Sequence, residues 1–188
     1  MTKLEPSKAG DAKSESRSRP YPPSWVNYLT GWVARHRWPS WYFYLGLWLV
    51  LVIIQVAVLW MEGAYSIGTI FPAQFFIPGM ISLFLGMTHF LDRRAVAALE
   101  TLRPALTASE EEVNQLRYQL TMLPALPSLL ASIAAICFIF LLGQITGETE
   151  SSIEALAASP IAANFLFVVY WIGWWVFGAF VYHTIHQL

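Results

Sequence analysis

Charge is what this chain has least of. Of its 188 residues only 12% are Asp, Glu, Lys or Arg, while 56% are hydrophobic. A soluble chain carries about 25% charged residues because a water-facing exterior needs them. The shortage is also patterned. No acidic or basic residue other than histidine falls within 38–61, 63–91, 118–147 or 155–188. A proton-coupled carrier would then have no carboxylate on its path, which counts against that class. Cysteine is nearly absent as well: the single Cys137 lies in an apolar run, so no intramolecular disulfide can form. The motifs G-x-S-x-G, H-E-x-x-H, the Walker loop and C-x-x-C are missing, so no reaction class is indicated. No concentrated basic patch supports nucleic-acid binding. Alternation of apolar and polar residues is missing too, which argues against a β-barrel.

What remains is a set of long apolar runs. Each of the four uncharged stretches houses the roughly 20 residues needed to cross about 30 Å of hydrocarbon. Backbone amides there have no water to bond, so helix is the expected conformation. The sequence therefore predicts an all-α integral membrane protein with four transmembrane helices in a bundle. The helices are expected near 41–60, 69–90, 125–145 and 161–183, within segments 38–61, 67–91, 123–146 and 160–188. Nine Trp and eight Tyr fit this class, since both collect where membrane meets water. The hydrophilic first 23 residues lack a cleavable signal layout, so insertion is expected to rely on the first span.

Orientation follows from where the cations stand. Lys3, Lys8, Lys13, Arg17, Arg19, Arg35 and Arg37 precede the first span, and Arg93, Arg94, Arg103 and Arg117 separate the second from the third. The other two connections hold only acids, Glu62 in one and Glu148, Glu150 and Glu154 in 147–159. The positive-inside rule predicts cytoplasmic N and C termini, and the short loops point to a bacterial plasma membrane.

Segment 1–23 is rich in Lys, Ser, Pro and Ala and reads as a disordered cytoplasmic tail. Segment 24–37 reads as a short amphipathic helix lying in the inner lipid interface. Trp25, Tyr28, Leu29, Trp32 and Val33 form its apolar stripe, Ser24 caps it, and Arg35 and Arg37 close it near anionic headgroups.

Residues 92–122 predict a cytoplasmic helical hairpin between the second and third spans. No Gly or Pro interrupts 87–103, so the second helix should continue outward as one rod. Ala95, Leu99, Leu102 and Leu106 would face Val113, Leu116, Leu120 and Leu123 across a turn at Pro104. Thr107 with Glu110 and Ser109 with Glu112 offer two capping boxes for the returning helix. Pro124 and Pro127 are expected to mark the re-entry and kink the third helix. Pro72, Pro78 and Gly79 could break the second span or, for Pro72, begin it. Within the spans, Ser82/Gly86, Ser128/Ser132 and Ala131/Ala135 are small pairs four apart that favour close helix contact. Gln55, Gln74, Gln144 and Asn164 are expected to bond neighbouring helices.

The candidate site residues are histidines. His89 ends the second span, and His183 and His186 end the fourth on the same side, one turn apart. The pair with His89 could hold a metal, or His89 and one of the pair could bind haem axially. The competing reading is interfacial side chains with wet tips. Trp171, Trp174 and Trp175 share one helix face and could wall a quinone- or lipid-sized pocket, or simply pack. The chain is thus expected to be a membrane-embedded assembly or sensory input module and the N-terminal part of a longer product, since no charge closes the last helix. A small accessory subunit holding haem or quinone at the cytoplasmic face is the alternative, and a homo-oligomeric channel or carrier a third. The expected partners are the lipid bilayer and further membrane subunits or copies of itself.

Overall fold

The computed structural model describes residues 21–70, 72–106, 108–146 and 160–187. The tail 1–20, the Thr107 capping box, the acidic connection 147–159 and Leu188 lie outside the described residues. Among the described residues every named element is helical. The helices are α1 (Trp25–Ala34), α2 (Ser40–Met61), α3 (Ala73–Leu102), α4 (Glu110–Thr121), α5 (Ala125–Thr146) and α6 (Pro160–Gln187), with a 3-10 turn at Arg103–Ala105. Helices α2, α3, α5 and α6 are long and apolar enough to cross a membrane.

Packing runs in a chain of neighbours, α2 on α3, α3 on α6 and α6 on α5. The shared core is apolar: Val33 of α1, Tyr44 of α2, Ile81 and Leu85 of α3, and Val169 and Val176 of α6. Helix α5 is peripheral and buries only Ser128 and Ser132. Those two small side chains make room for Gly178 of α6. A methyl group there would come within 2.5 Å of the Ala131 carbonyl oxygen and 2.8 Å of Ala135 Cβ. Ala131, Ser132 and Ala135 of the two small pairs thus face the α6 backbone. Gly86 works less tightly, with the Tyr44 ring 3.4 Å from where a Cβ would stand.

The prolines act mainly as helix starts. Pro72 is the N-cap of α3, which begins at Ala73. Pro78 is fully buried inside α3, and the helix continues through it and Gly79 without the break the sequence allowed. Pro127 falls in the first turn of α5, where a backbone N–H has no helical partner to lose. The expected kink is therefore replaced by a helix beginning at Ala125.

Helix α3 does run on as one rod to Leu102, and α4 returns against it. Ser109 caps α4 as expected: its backbone N–H donates to Glu112 Oε2 at 2.7 Å, and its Oγ accepts from the Glu112 N–H at 3.3 Å. The facing stripes close only in part. Leu99, Val113 and Leu123 are buried, while Leu102, Leu106 and Leu116 remain exposed. Towards the tip the pairing is ionic, Arg117 with Glu100 and Arg103 with both Glu100 and Glu110.

Helix α1 forms at the expected place but shows a different face. Val26 and Val33 are 2% exposed, and Asn27 and Thr30 are buried with them, whereas Tyr28 is 68% exposed and Trp32 50%. The expected stripe therefore divides. Trp25, Leu29 and Val33 turn towards the protein, and Tyr28 and Trp32 turn away. The physical reason is that Asn27 finds polar partners inside the protein, described below.

Candidate functional site

Among the described residues a network of polar groups gathers at one end, where 21–27, the close of α3, the α4–α5 junction and the close of α6 meet. Asn27 is the centre of one half. Its Oδ1 accepts from the Ser24 N–H (3.3 Å), the Ser24 Oγ–H (2.8 Å) and the Leu123 N–H (2.9 Å). Its Nδ2 donates to the Thr121 carbonyl at 2.8 Å. The backbones join directly as well: the Ser24 N–H donates to Leu123 O (3.0 Å) and the Ala125 N–H to Pro22 O (3.3 Å). Tyr21 Oη donates to Met122 O at 2.8 Å, and Tyr118 Oη returns a bond to Tyr21 O at 2.6 Å. Burial at this junction raises the Tyr21 phenol above its ordinary value, assisted by Tyr118 and Tyr182. Residues 119–123 leave helix α4 and would otherwise bury unpaired backbone groups, a cost these side chains remove.

The second half contains the histidines. His183 is fully buried, and its Nε2 lies 3.2 Å from Asp92 Oδ1, at ion-pair distance though not aligned as a hydrogen bond. Gln187 Nε2 reaches the same carboxylate at 3.5 Å and the Leu120 carbonyl at 3.1 Å. His186 stacks on Tyr182 and donates from Nε2 to Gln119 O at 3.1 Å. His89 shares a 3.0 Å hydrogen bond with Ser40 Oγ and meets the Tyr44 ring edge-on. The carboxylate of Asp92 is within electrostatic reach of His183, His89 and Tyr44.

The structure thus sends each of the three candidate histidines to a different partner. Among the described residues no three of His, Cys, Asp and Glu gather as a metal-holding group. The absence of an acid near His183 in sequence is corrected by the fold: Asp92, the neighbour of His89 in the chain, serves His183. Asp92 thus sets a half-buried carboxylate against a fully buried imidazole, which joins α3 to α6.

Of the three tryptophans, Trp171 and Trp175 line an apolar groove of about 310 Å³ between α5 and α6, with Ile136, Phe167, Val168 and Ile172. Trp174 turns instead to Tyr170 and Phe177. Sequence reasoning passed over Asn27, Tyr21 and Tyr118. The available signal was an Asn three residues after an N-cap Ser, in the midst of an apolar helix face. The chain matches no known protein family, and no curated protein or solved structure is significantly similar to it.

Proposed function

We propose that the chain is a membrane-embedded assembly module, a four-helix transmembrane bundle whose α3–α4 hairpin stands in the cytoplasm with both termini. One observation carries this reading: Leu102, Leu106 and Leu116 are exposed on the α3–α4 hairpin, and the charges of that hairpin, Arg93, Arg94, Arg103 and Arg117 among them, support placing it outside the bilayer. Leucines left open on a water-facing element form a contact surface for another protein. The base of that hairpin is bonded to 21–27 through Asn27 and to α6 through His186 and Gln187. A partner on the hairpin is in this way mechanically joined to α3 and α6, which suits signal transmission as well as assembly.

The test is the mass of the full-length protein extracted from its own membrane. Native mass spectrometry should show an assembly heavier than the 21.2 kDa chain. The double variant Leu106→Glu/Leu116→Glu should reduce it to the single chain without lowering the melting temperature. A wild-type protein that is a lone chain in mild detergent would refute the module. The accessory-subunit reading draws on the Trp171–Trp175 groove, which suits an apolar ring or tail. A stoichiometric chromophore or quinone copurifying with the chain, and lost in Trp175→Ala, would favour that reading instead.

A further inference from the structure

Among the described residues, arginines occur in two states. Arg103 and Arg117 on the hairpin are neutralised by Glu100 and Glu110. Arg35, Arg37, Arg93 and Arg94 are all exposed, and none is paired with a carboxylate among the described residues. The fold brings Arg35, Arg37 and Arg93 to one rim, with Arg94 on the adjoining face of α3. Ser40, which opens α2, is hydrogen-bonded to His89 near the end of the apolar part of α3. Arg35 and Arg37 stand just before Ser40, and Arg93 stands one turn beyond His89, so both sets lie on the outer side of the same contact. Arg94 lies over the exposed Phe90 ring at 5.1 Å, a long side chain rising along an apolar surface.

Aromatic rings surround that rim. Trp38 is 73% exposed, Trp41 and Tyr42 stack at 3.8 Å, and Trp32 contacts both His36 and Phe43. Exposed indoles beside unpaired guanidinium groups, at the end of apolar spans, match the phosphate and glycerol layer of a bilayer. The rim is also held in place. Helix α1 is anchored by Asn27 and by buried Val26 and Val33, so Arg35 and Arg37 leave it at a set position. A guanidinium presents parallel N–H donors that fit phosphate oxygens, which favours it over an ammonium for this task.

We infer that Arg35, Arg37, Arg93 and Arg94, framed by Trp38, Trp41 and Tyr42, form a binding site for the phosphate headgroup of an anionic phospholipid. Charge complementarity selects this occupant, since zwitterionic headgroups offer no net charge to four unpaired cations. The inference does not depend on the hairpin's partner.

The experiment is native mass spectrometry of the full-length protein in detergent, titrated with phosphatidylglycerol or phosphatidylcholine. Each arginine beside an anionic headgroup is worth about fivefold in affinity. Phosphatidylglycerol should therefore be retained at least about tenfold better than phosphatidylcholine. Arg37→Gln/Arg93→Gln should weaken that preference severalfold, and Arg103→Gln/Arg117→Gln should leave it intact. Raising the salt on the unaltered protein should weaken the preference, a readout independent of any substitution. Equal retention of the two lipids, or equal loss in both double variants, would overturn the assignment. Displacement of the lipid by millimolar inorganic phosphate would overturn it too, by assigning the rim to a soluble anion.

Discussion

Two residues set the tolerances of the structure, Asn27 by its bonds and Gly178 by its missing side chain. Asn27 uses one carbonyl oxygen for three donors and one amide for Thr121, so no smaller or apolar residue replaces it. Gly178 is required because backbone and Cβ atoms of α5 occupy the volume a methyl group would take. Forcing an extra methylene into a packed contact costs about 1–3 kcal/mol. Gly178→Ala should therefore lower the thermal midpoint in detergent, with α5 separating from α6. Gly46→Ala is the matched control, because nothing lies within 4 Å of its virtual Cβ. Removing backbone freedom from a helical glycine should leave stability unchanged or raise it by about 0.5–1 kcal/mol. Equal effects of the two substitutions would show that the α5–α6 contact is looser than described.

At the scale of elements, the hairpin is the part whose stability responds most directly to pH. Glu112 receives the backbone N–H and the hydroxyl of Ser109, and these bonds hold its carboxyl below its ordinary value of 4.5. A carboxyl lowered in the folded state contributes stability that is present above the unfolded value. The contribution is lost as pH falls through the lower, folded value. The protection of amides in the first turn of α4, relative to their free-chain exchange rate at each pH, should accordingly fall on acidification below that value, and Ser109→Ala should abolish the dependence. A first turn equally protected at both ends of this range would refute the capping role. Helix α1 carries a second lesson at this scale. Periodicity located the helix, and Ser24 located its start, but its buried face was decided by where Asn27 and Thr30 could be placed.

For the whole molecule, the decisive question is which end faces which compartment. The polar node joins 21–27, Asp92, 118–125 and 183–187 into one end, and we propose from the positive-inside rule that this end faces the cytoplasm. With Cys137→Ser as background, Gln115→Cys should react with a membrane-impermeant maleimide only after the cells are opened. Ser66→Cys, in the connection between α2 and α3, should react in intact cells. The reverse pattern would invert the topology while leaving the packing of the helices untouched. The node also bonds the end of α6 to α4, through His186 to the Gln119 carbonyl and Gln187 to the Leu120 carbonyl.

The sequence by itself determined the four apolar helices, the outward continuation of α3 and the Ser109 cap, because each depends on hydrophobicity or on partners three or four residues away. It also marked the small pairs on α5, though without naming Gly178 as what they receive. The tertiary structure decided the rest. That Asp92 would serve His183 rather than the nearby His89, that Asn27 would hold the α4–α5 junction, and that Arg93 would share a rim with Arg37 all depend on helices distant in sequence. Such pairings follow from which helices are neighbours and how each is rotated about its axis. With spans apolar on nearly every face, the pattern of residues along any one of them does not specify that rotation; close contacts such as Gly178 on Ser132 do.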